Sequence, residues 1–164
     1  MDFKAKQQMI EDIDAEVQDL HPLLKSVLGK LENIKGVEYT HGTQEKGADF
    51  VLTRFDPALG TFSYIGVVVK KGKTTNDITD INRQIEECAL PRLLDGGKRK
   101  ERLSEVWVVN TSTISSNAKD KIFDQYTKQR IEFIDGFKLT QLVDKHAEFF
   151  WHQVPSHLGV YLDT

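Results

Sequence analysis

A chain of 164 residues, 39% hydrophobic and 29% charged, has the size and composition of one soluble globular domain with a single well-packed core. Its net charge of −3 excludes a surface coated in positive charge for nucleic acid, but not a local basic groove, because the field at a cleft follows the distribution of charge rather than its sum. One cysteine excludes an internal disulfide and suits a reducing compartment.

No apolar run reaches the roughly 18 residues of a membrane span. The N-terminus is charged throughout and lacks the apolar stretch of a signal peptide, so the expected location is cytoplasmic, away from membranes. In chain order, residues 3–34 read as helix. Ile10, Ile13, Val17, Leu20, Leu24, Val27, Leu28 and Leu31 recur at three- and four-residue steps and form one apolar stripe. Pro22 breaks the run, so two helices are expected, the second starting near His21-Pro22. Gly36 stands where a helix would end. A short strand is expected over 37–40, followed by a polar loop over 41–47.

Phe50-Val51-Leu52 is an apolar run. It leads to a turn at Asp56-Pro57-Ala58-Leu59-Gly60 and a returning strand over 61–70; Pro and Gly in so short a connection mark a hairpin. On the returning strand Tyr64, Gly66, Val68 and Lys70 share one face, and Ile65, Val67 and Val69 the other. Three consecutive valines are apolar on both faces, which predicts a strand covered on both sides in the middle of a sheet.

Residues 70–76 form a basic, polar turn. A helix is expected over 77–90, with Ile78, Ile81, Ile85, Cys88 and Ala89 inward and Pro91 ending it. Cys88, beside Ala89 and Leu90, reads as a buried structural thiol. Residues 95–102 read as a charged surface loop and 106–109 as a buried strand. A helix over 117–129 follows, with Ser115-Ser116 as its N-cap, then a strand over 131–135 and a terminal helix over 137–149. A hairpin followed by strand–helix–strand units predicts an α/β fold with a mixed central sheet flanked by helices. The whole chain reads as a single domain, its core at about 20–150, with the apolar tail at 152–164 leading towards a further domain.

Gly47-Ala48-Asp49-Phe50-Val51, the hairpin, Ile65-Gly66-Val67-Val68-Val69-Lys70 and then Gln84-Ile85 on the next helix carry a resemblance. The order and spacing of these segments resemble the core of the PD-(D/E)xK nuclease superfamily, and within it the Mrr-like branch of restriction endonuclease-like domains. Glu105–Val109, Ile114–Lys119, Phe133–Gly136 and Leu139 resemble the second half of that branch. The resemblance implies a restriction endonuclease-like core and a metal-dependent DNA endonuclease using Mg²⁺ or Mn²⁺. It also implies a homo-oligomer, because cutting both strands commonly takes two such domains. Domains of this kind often sit at the N-terminus of larger bacterial defence proteins, including STAND-type antiviral NTPases.

The residues can be weighed against that chemistry. Phosphodiester hydrolysis needs charge gathered on the phosphate and an acidified attacking water. Mg²⁺ takes oxygen ligands, usually one or two carboxylates plus waters and phosphate oxygens. A nearby lysine can orient the water and offset developing negative charge. By resemblance, Asp49 would bind metal, Lys70 would position the nucleophile, the Val69 carbonyl would join the metal shell and Gln84 would sit beside the site.

One position departs from the pattern: Val68 stands where a second carboxylate or a glutamine belongs, and valine cannot ligate a metal. Three readings follow. Glu86 or Glu87 on the following helix supplies the ligand; Glu45, in the loop before Asp49, supplies it; or the site is degraded and the fold serves to bind DNA or a partner. Each residue also has an ordinary reading. An Asp after Gly-Ala is commonly a turn or edge residue, a lysine ending a strand is commonly just solvated, and glutamates flanking an apolar stripe are commonly an exposed helix face. Lys71 and Lys73 adjoin Lys70 and are candidate phosphate contacts, which give affinity without reading sequence. Lys98-Arg99-Lys100 and Arg102 read as a solvated loop. Nothing resembles a basic recognition helix, so little sequence specificity is expected. An RNA substrate would use the same site chemistry. The five histidines have no zinc-like spacing beyond His152 with His157, and no second cysteine exists to join them.

Overall fold

The computed structural model describes residues 1–40, 47–75, 77–94, 96–126 and 129–152. Helix α1 (Phe3–Glu11) begins at Asp2, whose carboxylate accepts the Ala5 N–H at 2.8 Å and so caps an otherwise open end. A π-helical turn (Glu16–Leu20) runs straight into α2 (His21–Leu28), with Pro22 in the first turn where its missing N–H costs nothing. The second helix thus starts where expected, although the first ends earlier, at Glu11.

The apolar stripe outlasts the helix. Helix α2 stops at Leu28 rather than near residue 34, and Asn33 takes a positive φ of 67°, a left-handed conformation no helix can pass through. Strand β1 (Ile34–Tyr39) therefore begins three residues earlier than the sequence suggests. Gly36, read as a helix end, lies inside it at a register shift.

Strands β2 (Phe50–Asp56) and β3 (Thr61–Lys70) form the expected hairpin. Its turn is held by Asp56, whose carboxylate accepts the Ala58 N–H at 2.9 Å, and by Gly60 at φ 66°. Helix α3 (Thr79–Cys88) follows. The region 95–102, expected to be a charged loop, instead contains strand β5 (Arg99–Glu101), which pairs antiparallel with β4 (Arg92–Leu94) just before it. Arg92 and Leu94, each 3% exposed, alternate inward and anchor it despite the charges around them. Strand β6 (Glu105–Asn110), α4 (Ser116–Gln125), β7 (Arg130–Ile134), α5 (Gly136–His146) and a 3₁₀ turn (Glu148–His152) complete the order. Ser115 caps α4 as expected, accepting the Ala118 N–H at 3.1 Å.

Five strands pair in the order β1-β2-β3-β6-β7, antiparallel through the hairpin and parallel from β3 onward. Strand β3 is central, as the valine run predicts. Val67 and Val69 pack with α1, α2 and α5, while Val68 packs with Ile81, Ile85 and Cys88 of α3 and with α4. Burying a valine fully contributes about 1.5–3 kcal/mol, and this strand does so on both faces. The architecture is a mixed sheet between two helical layers. Among the described residues no helix is long and apolar enough to cross a membrane.

Candidate active site at the ends of β2 and β3

The chain enters β2 through Gly47-Ala48-Asp49, and that approach is fixed from three sides. Thr40, just past β1, donates its N–H to the Asp49 carbonyl at 2.9 Å and its hydroxyl to the Ala48 carbonyl at 2.7 Å. Asp49 donates its own N–H to the Val67 carbonyl at 2.8 Å. From above, α3 rests on Gly47: a Cβ there would come within 2.0 Å of the Gln84 carbonyl oxygen, and Gly47 takes a φ of 86°. Only glycine satisfies both conditions.

Asp49 is consequently buried, 3% exposed, with its Oδ2 accepting the Val69 N–H at 2.8 Å. The paired register ends with Phe50 at Val67 and Val51 at Gly66, and Asp49 lies just before it, its N–H on the Val67 carbonyl and its carboxylate on the Val69 N–H. Val68 is fully buried in the α3 layer. At position 68, where the resemblance implies a second ligand, this chain has a core side chain. Val69 turns its side chain to the other layer. Its N–H points to Asp49, and a strand residue's N–H and C=O leave on the same edge, so its carbonyl also faces the β2 side. Lys70 ends β3 half-exposed, on the Val68 face, paired with Asn110 of β6.

Gln84 reaches the site from α3. It is 4% exposed and donates Nε2 to the Gly47 carbonyl at 3.1 Å, while its buried Oε1 has no partner among the described residues. The glutamates on the same helix diverge. Glu87, half-buried near Gly47, takes an ion pair from Arg83 at 2.9 Å. Glu86 is exposed and points to α4, where Gln125 Nε2 and the Tyr126 hydroxyl each lie 3.5 Å from its Oε1. Burial, and next the Glu86 charge, push the Tyr126 phenol up to about 12. Glu45 lies outside the described residues, as do His41 and His157. Cys88 is buried beneath the site, and desolvation raises its thiol to about 12, so it is inert at neutral pH.

The basic turn after β3 is held firmly. Gly72 donates its N–H to Thr111 Oγ1 at 2.8 Å, Thr74 donates its N–H to the Thr113 carbonyl at 2.9 Å, and the fully buried Asn110 hydrogen-bonds the Thr74 hydroxyl. Lys71 and Lys73 are exposed on this turn, and Lys71 donates to the Asp14 carbonyl at 3.0 Å. Asn110 and Thr111 are supporting residues that no sequence motif marks. The only signal was a polar pair closing the apolar run Val106–Val109.

Among the described residues no group of three or more His, Cys, Asp or Glu side chains is close enough to share a metal ion. What the site offers is one carboxylate (Asp49), one strand carbonyl (Val69) and an unpartnered amide oxygen (Gln84) nearby. That all-oxygen set fits a hard cation that keeps most of its waters and takes the rest of its shell from phosphate. It does not resemble a closed protein cage.

No protein-family model and no curated protein matches this sequence. Among solved structures, the chain is similar to the MspJI restriction endonuclease in complex with a 27-mer oligonucleotide, with a TM-score of 0.53 at 15% identity. The similarity covers 90% of this chain and 32% of that one, so the chain spans about a third of its neighbour's length. At this identity the likeness concerns architecture, and the mixed sheet with its two helical layers is a restriction endonuclease-like fold.

Proposed function

We propose that this is a metal-dependent nuclease domain that cleaves DNA phosphodiester bonds with little sequence specificity. The observation that carries the reading is the Asp49 carboxylate, buried at the start of β2 and locked onto the Val69 N–H, one residue before Lys70, within a restriction endonuclease-like fold. Asp49 and the Val69 carbonyl would hold Mg²⁺ or Mn²⁺, which when bound supplies charge neutralisation at the phosphate and lowers the pKa of a bound water.

The chain's own residues do the rest. The Val69 N–H fixes the Asp49 carboxylate in one orientation. The Lys70 ammonium would hold the attacking water against the phosphate and balance charge as it develops. Gln84 anchors α3 over Gly47 and so keeps the approach to Asp49 rigid. Lys71 and Lys73 extend the positive edge along which a phosphate backbone can lie. A second protein ligand, if used, would come from Glu45 or Glu87 or from another copy. The resemblance of the sequence to Mrr-like domains supports a setting in bacterial anti-phage defence, in the cytoplasm, within a larger oligomeric protein.

The test is nicking of supercoiled plasmid at high protein concentration with Mg²⁺ or Mn²⁺, comparing wild type with Asp49→Ala and Lys70→Ala. Metal-dependent nicking lost in both variants is the expected result. No nicking by a folded, dimeric protein would overturn the reading.

A second reading rests on Val68: the fold retained as a DNA- or partner-binding module with a degraded site. It predicts that wild type and Asp49→Ala bind duplex DNA alike by fluorescence anisotropy and that neither cuts it.

A further inference from the structure

The β4–β5 ribbon stands outside the five-stranded sheet, and its charge is unlike that of the rest of the chain. Residues 98–102 hold four cations and one acid, a local +3 in a chain whose net charge is −3. As sequence they read as a solvated loop; as a ribbon they are sorted onto two faces. Arg92 pairs with Glu101, Leu93 with Lys100 and Leu94 with Arg99, and opposed residues of an antiparallel pair share a face. One face therefore carries Arg92, Leu94, Arg99 and Glu101. The other carries Leu93 and Lys100, with Lys98 and Arg102 two residues to either side of Lys100.

The first face is the anchor. Arg92 and Leu94 are buried, Leu94 among the apolar side chains of the α3 layer, and the Arg99 guanidinium lies 5.4 Å from the centre of the Tyr64 ring. The second face turns outward. Leu93, Lys98, Lys100 and Arg102 are exposed, and among the described residues none of these three cations has an ion pair. The turn between the strands also stands clear: among the described residues, nothing lies within 4 Å of where a side chain at Gly96 or Gly97 would begin. Alternate residues of a strand are about 6.6 Å apart, so Lys98, Lys100 and Arg102 form a row spaced much like successive phosphates of a nucleic-acid strand.

The ribbon lies on the sheet face of the candidate site. Leu94 and Val68 belong to one apolar cluster, Lys70 shares the Val68 face, and the charges of Arg92 and Asp49 both reach the Cys88 thiol. From that end the ribbon extends towards Tyr64, which precedes Lys70 on β3 by about 20 Å of strand. A duplex rising about 3.4 Å per base pair covers that length in about six base pairs.

We propose that the β4–β5 ribbon is a docking edge for duplex DNA, in which Lys98, Lys100 and Arg102 contact phosphates while Arg99, on Tyr64, holds the ribbon in place. The choice of partner rests on the nuclease reading, to which the ribbon adds a seat for the duplex beyond the reacting phosphate. An outward face of three cations around one leucine favours a nucleic acid over a protein, because lysine is depleted at the centre of protein interfaces. Phosphate contacts fix position without reading sequence, in keeping with little specificity.

The experiment is binding of a fluorescein-labelled duplex to the full chain by anisotropy, in EDTA and over a range of salt. Lys98→Gln/Lys100→Gln/Arg102→Gln removes three charges from exposed positions and leaves the core untouched. Each lost phosphate contact lowers the slope of log K against log salt by about 0.9, so this variant should lose about 2.7 of slope and bind at least about tenfold more weakly at low salt. Lys4→Gln/Lys25→Gln/Lys145→Gln removes the same charge from exposed positions of α1, α2 and α5, on the other helical layer, and should stay within about twofold of wild type. An unchanged slope and affinity in the ribbon variant, an equal loss in the control, or no binding by wild type at about 0.1 mM would overturn the proposal. Because EDTA keeps cleavage out of the readout, the two readings fail separately. Binding through the ribbon without plasmid nicking in metal overturns the nuclease reading and upholds this one; nicking by a protein whose binding ignores the ribbon overturns this one alone.

Discussion

Asp49 and Glu105 are both buried carboxylates of the central sheet, each 3% exposed, yet they are held in opposite ways. Glu105, at the start of β6, is bracketed by arginines from β2 and β7, so its charge is answered by two guanidinium groups converging from other strands. Asp49, at the start of β2, is oriented by the backbone N–H of Val69, beside a strand end that carries Lys70. The first arrangement spends the carboxylate on cohesion, joining three strands at one edge of the sheet. The second fixes its orientation by the main chain and leaves the neighbouring cation at the half-exposed end of its strand. Burial is common to both carboxylates, and the proposed function gives only Asp49 a chemical role.

Four substitutions break or sharpen this contrast, in decreasing order of expected effect. Val68→Glu places a second carboxylate in a fully buried position on β3, one residue before Val69, whose N–H holds Asp49, and an uncompensated buried charge should cost about 4 kcal/mol. If the two acids face one site, Mg²⁺ or Mn²⁺ should recover part of that loss, read as a rise in Tm over the EDTA value. An equal Tm with and without metal would place Val68 away from any shared metal. Gly47→Ala should cost on the order of 3 kcal/mol by urea unfolding, because it combines a positive φ with a contact of 2.0 Å to the α3 backbone. A stable Gly47→Ala protein would mean that α3 does not press on the approach to Asp49.

Glu105→Ala should be milder. Removing one partner of a buried pair commonly costs 3–5 kcal/mol, but the Arg54 and Arg130 side chains are 38% and 74% exposed and can turn to water, leaving a loss of about 2 kcal/mol in urea. Activity towards DNA should be unchanged per folded molecule. Arg130→Ala removes only the more exposed arm and should cost less than about 1 kcal/mol, shrinking further in high salt.

Much of this was legible in the sequence for physical reasons that can be named. The turn at Asp56–Gly60 carries its own chemistry, and three valines with no polar face can sit only in a strand covered twice. Gly-Ala-Asp before an apolar run, with a lysine ending the next strand, set Asp49 and Lys70 at one edge once a hairpin joined the two. The misses have causes too. The stripe ending at Leu31 continued past the helix because an apolar residue in a turn packs as well as one in a helix, and nothing local announced the left-handed Asn33. The β4–β5 pair was hidden by its charges, since only Arg92 and Leu94 point inward.

The row Arg54–Glu105–Arg130 could not be read at all. It joins residues brought together only by strand register, and no motif encodes that pairing. The same holds for Asn110 and Thr74, whose bond ties the basic turn to the neighbouring strand across 36 positions. The direction taken by Glu86, towards Tyr126 and away from Gly47, likewise became visible only with the helix in place.

The central claim, that the carboxylate fixed by the backbone is the reactive one, is tested most directly by Asp49→Asn. Asparagine keeps an oxygen acceptor for the Val69 N–H and nearly the same shape, so urea unfolding should stay within about 1 kcal/mol of wild type. On the proposed function, plasmid nicking in Mg²⁺ or Mn²⁺ should fall on the order of 100-fold, because the amide would lack the negative charge to hold a cation. Near-wild-type stability with nicking lowered about 100-fold is the expected outcome. Equal stability with wild-type nicking would contradict the account and return Asp49 to a structural role.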